Sequence, residues 1–192
     1  MQISKFLRSN IVSIIIILIF GFIVILPDSK TIIIKGMMKT GLFNANAPSD
    51  FDDAKLIPEG ISFRSENGQV IKLSEHKGKV FFINFWATWC PPCRAEMPSI
   101  NALYKKVKNK DKIVFMMVDA DNKPDEAVQF MRKYSYQLPV FVSASNIPKE
   151  IFNGTLPTTL IIGPDGKVVF QHARVADYDT RQMLDLLNKL AK

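Results

Sequence analysis

Two cysteines and two histidines are the only thiol and imidazole groups in this chain of 192 residues. That scarcity excludes several classes. A small disulfide-stapled scaffold needs more cysteines. A structural zinc site needs four ligands, and His76 and His172 stand far apart, without the spacing of a finger. No Cys-x-x-Cys-His run for covalent haem attachment is present. There is no internal repeat and no low-complexity segment. The densest basic run, KKVKNKDK at 105–112, has no interleaved aromatics to stack on bases. It reads as a solvated helix end whose lysines complement the macrodipole, so no nucleic-acid partner is expected. The net charge of +7 leaves an acidic partner or an anionic membrane surface as the alternative.

One long run carries no charge at all: IVSIIIILIFGFIVIL, residues 11–26, preceded by Lys5 and Arg8. As a helix it would span about 24 Å, a little short of a hydrocarbon core of about 30 Å, a shortfall that flanking residues can absorb. Signal-peptide cleavage wants small residues just behind the run, yet Leu26, Pro27 and Asp28 follow, and Ala45-Asn46-Ala47 lies too far downstream. No cysteine is close enough for lipid attachment. The expected organisation is an uncleaved membrane anchor at 1–26, a connector at 27–55 and one globular domain at 56–192. Lys5 and Arg8 favour a cytoplasmic N-terminus, although Lys30, Lys35 and Lys39 weaken the asymmetry. The lipid bilayer is thus the expected partner of residues 11–26. The domain is placed on the extracytoplasmic, periplasmic side of the cell membrane, where disulfides persist.

Within the connector, TIIIKGMM (31–38) has the composition to dock on the domain or on the membrane surface. ISFRSENGQVIKL (61–73) reads as a hairpin turning at Asn67-Gly68. KVFFINFWA (79–87) and KIVFMMVDA (112–120) are apolar on both faces, as buried strands are. A helix follows the cysteines, with Pro91 and Pro92 in its first turn and Pro98 expected to bend it. PDEAVQFMRKYSY (124–136) is an amphipathic helix, PVFVSA a further strand and PKEIFN a short helical turn. TTLIIG and KVVFQHA flank the turn PDGK, and the chain ends in an amphipathic helix. Strands alternating with helices, then a closing hairpin and helix, predict an α/β architecture around a mixed sheet.

The two cysteines fall at the start of a helix, in NFWATWCPPC (84–93). The unpaired N–H groups and dipole there stabilise an anion, so Cys90 is expected to have a lowered pKa and to be the nucleophile. Cys93, one turn later, is within reach to resolve a mixed disulfide. A copper-binding module using Cys90, Cys93 and His172 stays open as another class.

NFWATWCPPCRAEMP (84–98) resembles the active-site signature of thioredoxin-like, TlpA-type thiol–disulfide oxidoreductases, and GTLPTTLIIGPDGKVV (154–169) resembles a second segment of that family. The likeness covers roughly residues 58–192, including the hairpin and LSEHKGK. It implies a thioredoxin-like fold with an N-terminal β-hairpin and a helix–strand insertion. It also implies a redox-active disulfide between Cys90 and Cys93, with Cys90 attacking and Cys93 resolving. Pro157 would be cis, setting the Leu156 backbone beside the cysteines to pair with a substrate. Glu96 matches an acidic residue carried by many members; three residues beyond Cys93, it could exchange a proton with a thiol. Asn84 departs from thioredoxin itself, which has a buried Asp there. Trp89 is expected on the substrate-facing surface and Trp86 in the core. No resident metal or cofactor is implied. The implied activity is reduction of protein disulfides, with oxidised apocytochrome c during cytochrome c maturation as the leading substrate. A membrane electron donor would re-reduce the pair. A disulfide-forming oxidase is the rival within the same chemistry.

Overall fold

Alternation along one strand decides how the core divides. Val80–Trp86 forms β3, every residue buried. Its even-numbered side chains Val80, Phe82 and Trp86 join one core cluster, and its odd-numbered Phe81, Ile83 and Phe85 join another. The protein is seen in a computed structural model that describes residues 10–25, 29–38, 41, 43–45 and 54–192. The other strands are β1 (Ser62–Ser65), β2 (Val70–Lys72), β4 (Ile113–Asp119), β5 (Val140–Ser143), β6 (Thr158–Ile162) and β7 (Val168–His172). They form one seven-stranded sheet in the order β2-β1-β5-β4-β3-β6-β7. The pairs β3/β4 and β4/β5 are parallel and the rest antiparallel, giving the expected mixed sheet.

The helices are α1 (Ile11–Ile25), α2 (Ser29–Met38), α3 (Pro91–Lys106), α4 (Pro124–Lys133) and α5 (Arg181–Leu190). Each of α3, α4 and α5 contributes buried apolar residues to the cluster on the even face of β3. The other cluster is completed by the β1–β2 hairpin and the loop carrying Ile147, Ile151 and Phe152. Within the segment 148–153, residues 149–151 form a turn, and the Ile151 and Phe152 N–H groups donate to the Pro148 carbonyl. The α3 helix is continuous through Pro98. In the β1–β2 loop the positive φ falls on Gly68 (+86°) and not on Asn67. The Ser65 N–H donates to the Gln69 carbonyl, so the loop has three residues ending in a left-handed glycine, not a two-residue turn.

The helix α1 matches the uncharged run, and Ile11, Val12 and the apolar residues 15–19 are exposed on it. Its 15 residues rise about 22 Å. Among the described residues no helix is long and apolar enough to cross a membrane. The helix α2 packs against α3 and buries Thr31 and Met38. Further on, the Asp177 N–H donates to the Phe43 carbonyl at 2.7 Å and the Ala45 N–H to the Asp177 carbonyl at 3.0 Å, a parallel bridge. Lys55 and Ile57 then bond to the β6–β7 hairpin. The segment between α1 and the domain therefore lies along the domain at three places. Residues 1–9, 26–28, 39–40, 42 and 46–53 of the expected anchor and connector lie outside the described residues.

Candidate functional site

The site is assembled where β3 ends. The chain turns after Trp86, and the Cys90 N–H donates to the Ala87 carbonyl at 3.2 Å. Cys90 is then the N-cap of α3. Pro91 and Pro92 occupy the first helical positions, where a missing N–H costs nothing because it would have no intrahelical partner. The Cys93 N–H donates to Cys90 Sγ at 3.3 Å. The two cysteines form a disulfide with a Cα–Cα separation of 5.4 Å. Both are buried, Cys93 completely. Opened to a thiolate, Cys90 Sγ would lie at the positive end of a 16-residue helix, with one backbone donor already directed at it.

One turn beyond Cys93, Glu96 is completely buried. Asn84 on β3 faces it, because the even side of that strand looks at α3. Asn84 Nδ2 donates to Glu96 Oε1 at 2.7 Å and to Thr159 Oγ1 at 2.9 Å. The Ala176 N–H donates to Glu96 Oε2 at 3.2 Å. These donors favour the carboxylate, but burial outweighs them and raises the Glu96 pKa from 4.5 to about 8. Glu96 is therefore protonated at neutral pH with the disulfide closed. Tyr178, fully buried alongside, is pushed well above the ordinary phenol range by burial and then by Glu96.

The antiparallel pairing of β6 with β3 brings the start of β6 to the same end of the sheet, with Thr158 opposite Phe85. Just before it, the Leu156-Pro157 bond is cis, as the resemblance implies. Leu156, Pro157 and Pro92 share the wall of an open groove of about 500 Å³. Trp89 is 65% exposed, and its Nε1 donates to Asp121 Oδ2 at 2.6 Å. Trp86, by contrast, is fully buried. Cys90, Cys93, Glu96, Leu156 and Pro157 thus gather at one end of the sheet, with Trp89 beside Cys90.

The histidines part company. His172 lines the groove with Pro157, while His76 lines a different cavity beside Phe81. Among the described residues no three His, Cys, Asp or Glu side chains gather as a metal-binding group. Sequence reasoning missed Thr159, Ala176 and Tyr178 around Glu96, and Phe43, Asn44 and Arg174 around the groove. Nothing in the local sequence marks these residues; only the topology brings them in.

Residues 52–187 match the Redoxin family. The chain is 37% identical over 119 residues to the thiol-disulfide oxidoreductase ResA of a Bacillus cereus strain, covering 62% of this chain and 66% of that one. It is 32% identical over 154 residues to ResA of Halalkalibacterium halodurans, covering 78% and 85% of the two chains. The chain thus spans slightly less than two thirds of the length of the Bacillus cereus relative. Among solved structures, a Chlorobium tepidum protein assigned as a thiol:disulfide interchange protein DsbE superposes with a TM-score of 0.59 at 26% identity. It covers 72% of this chain and 97% of its own.

Proposed function

With the chain a member of the Redoxin family and of its ResA-type thiol–disulfide oxidoreductases, we propose that it is a membrane-anchored reductase of protein disulfides. The observation that carries this reading is the placement of Cys90 at the N-cap of α3, disulfide-bonded to a buried Cys93, with a protonated Glu96 one turn on.

In the dithiol form, Cys90 Sγ as thiolate attacks one sulfur of a substrate disulfide. The other substrate sulfur leaves as a thiolate and takes a proton. In the dithiol form Glu96 is a carboxylate, having given its proton to Cys93 when the disulfide was opened; it now takes that proton back, and Cys93 Sγ attacks Cys90 Sγ. The first substrate sulfur departs as a thiolate and takes a proton from water, and two electrons have passed from the cysteine pair to the substrate. When a donor dithiol reopens the Cys90–Cys93 disulfide, Glu96 returns the proton to Cys93. Burial lifts the Glu96 carboxyl from 4.5 to about 8, out of the ordinary carboxylate range and toward that of thiols, which suits it to exchange a proton with a neighbouring cysteine. Leu156 beside the cis-Pro157 offers backbone groups to the substrate, and Trp89 offers an apolar face.

The exposed apolar helix α1 supports an N-terminal anchor, with neighbouring residues making up its shortfall in length. Anchoring by residues 1–26 would hold the 56–192 domain on the extracytoplasmic side, where a membrane electron donor re-reduces it. Oxidised apocytochrome c is the leading substrate. The test is the reduction potential of the Cys90–Cys93 couple, measured on the full chain in detergent. A value near or below about −250 mV supports a reductase; a value near about −120 mV would make the protein a disulfide donor instead. Trapping on a Cys93→Ser variant then identifies the substrate.

A further inference from the structure

The groove beside the cysteines has three walls from distant parts of the chain. Pro92 comes from the start of α3, and Thr155, Leu156 and Pro157 from the segment before β6. The third wall is Phe43 and Asn44, held by the backbone bridge to Asp177. The rest of the lining comes from the end of β7 and the residues after it, including His172, Arg174 and Val175. Most of this lining is apolar or neutral. The exception is Arg174, which is exposed and, among the described residues, makes no ion pair. Among the described residues no carboxylate lines the groove. Burial and the nearby Arg174 both lower the His172 pKa, so at neutral pH the ring serves as a neutral hydrogen-bond partner and Arg174 supplies the charge.

Resting on the oxidoreductase reading, we propose that this groove is the specificity subsite for an acidic segment flanking the substrate's disulfide, with Arg174 as the residue that selects it. Pro92 lies between the two cysteines in sequence, so a chain whose disulfide sits at Cys90 runs its neighbouring residues into the groove. A Glu or Asp there meets a guanidinium able to take a carboxylate through two parallel N–H donors. Because Arg174 is exposed, the pair is open to water and screened by salt, so its contribution is modest. A lysine in the same place meets a like charge. The connector also acquires a role, since Phe43 and Asn44 complete the groove.

The experiment uses the full chain in detergent, reduced at Cys90 and Cys93. Its probes are three peptides with the same intramolecular disulfide, flanked by Glu, Gln or Lys. Rates of peptide reduction are compared as ratios within each protein, so a general loss of activity in a variant cancels. The wild type should reduce the Glu peptide about fivefold faster than the Lys peptide at low salt, and the ratio should shrink as salt rises. Arg174→Glu should reverse the order, and Arg174→Gln should erase the preference without reversing it. Equal rates for the three peptides in the wild type, or an order unchanged by Arg174→Glu, would overturn the proposal. Reduction of uncharged hydroxyethyl disulfide by the wild type separates the two levels. If that reaction proceeds while peptide charge is ignored, only the subsite fails. If the wild type reduces neither kind of disulfide, the reductase reading fails and the subsite with it.

Discussion

The two sides of the site differ in what water can reach. On the inner side, Cys93 and Glu96 are completely buried and Cys90 is 4% exposed. On the outer side, Trp89 is 65% exposed and Arg174 is an exposed residue of the groove lining. The inner side holds groups whose protonation matters, and burial is the largest influence on Glu96. The outer side holds groups that can touch a partner but are held by few contacts. Chemistry and recognition are thus divided by solvent access, and substitutions on the two sides should change different quantities.

The largest effect belongs to the inner side. Cys90→Ser should abolish disulfide exchange, because a hydroxyl at the helix start has no accessible anion near neutral pH. A simple thiol–disulfide exchange assay decides it, and retained turnover would reassign the nucleophile. Next is Glu96→Gln, which should slow turnover by about a hundredfold, the lower end of the range for a positioned acid–base group. The same substitution has a signature in stability. From about pH 4.5 upward the unfolded chain loses this proton, while the native state keeps it until about pH 8. Native Glu96 therefore stabilises fully below pH 4.5, and its contribution is lost as pH rises through 8, at up to about 1.4 kcal/mol per pH unit. Denaturant unfolding of the oxidised protein should show stability falling across that window. In Glu96→Gln this part of the slope should vanish, whatever the new baseline. An unchanged slope would mean Glu96 is ionised in the native state.

Legibility in the sequence follows the same division. The strands β3 and β4 could be read because continuous apolar runs leave little else for a buried segment to be. The inner side was readable because its residues lie within seven positions on one helix start, where spacing translates directly into geometry. Glu96 could be placed on the face of Cys93, but not its burial or its bonds. Those depend on Asn84, Thr159 and Ala176, which meet it only through strand register and chain return. The groove was invisible for the same reason carried further: Phe43, Pro92, Pro157 and Arg174 come from four segments. The connector's TIIIKGMM left two docking surfaces open, and the α2–α3 packing is with the domain.

That packing makes the connector a bridge between the two sides, and truncation should expose it. A chain beginning at Ser29 keeps α2 and the Asn44 bridge; one beginning at Lys55 loses both. The buried Met38 and Ala45 side chains go with them. The shorter chain should be less stable by about 2–3 kcal/mol, at the scale of one large apolar side chain returned to water. It should also lose the groove wall while keeping the cysteines and Glu96. Equal denaturation midpoints for the two chains would show that the docked segment contributes nothing to the fold.

The smallest effect tests whether the outer side is ordered at all. Trp89 is exposed, yet its indole N–H is fixed on Asp121 at 2.6 Å. An anchor already held in place loses less rotamer freedom when a partner covers it. Asp121→Ala removes the acceptor and should raise KM for a protein disulfide about two- to threefold, the size of one exposed hydrogen bond, with kcat unchanged. Asp121→Asn keeps an acceptor oxygen and should behave nearly as the wild type. Trp89→Ala removes the apolar face as well and should raise KM further. If Asp121→Ala lowered kcat instead, Asp121 would belong with the inner chemistry, and the division by solvent access would fail at the residue beside the nucleophile.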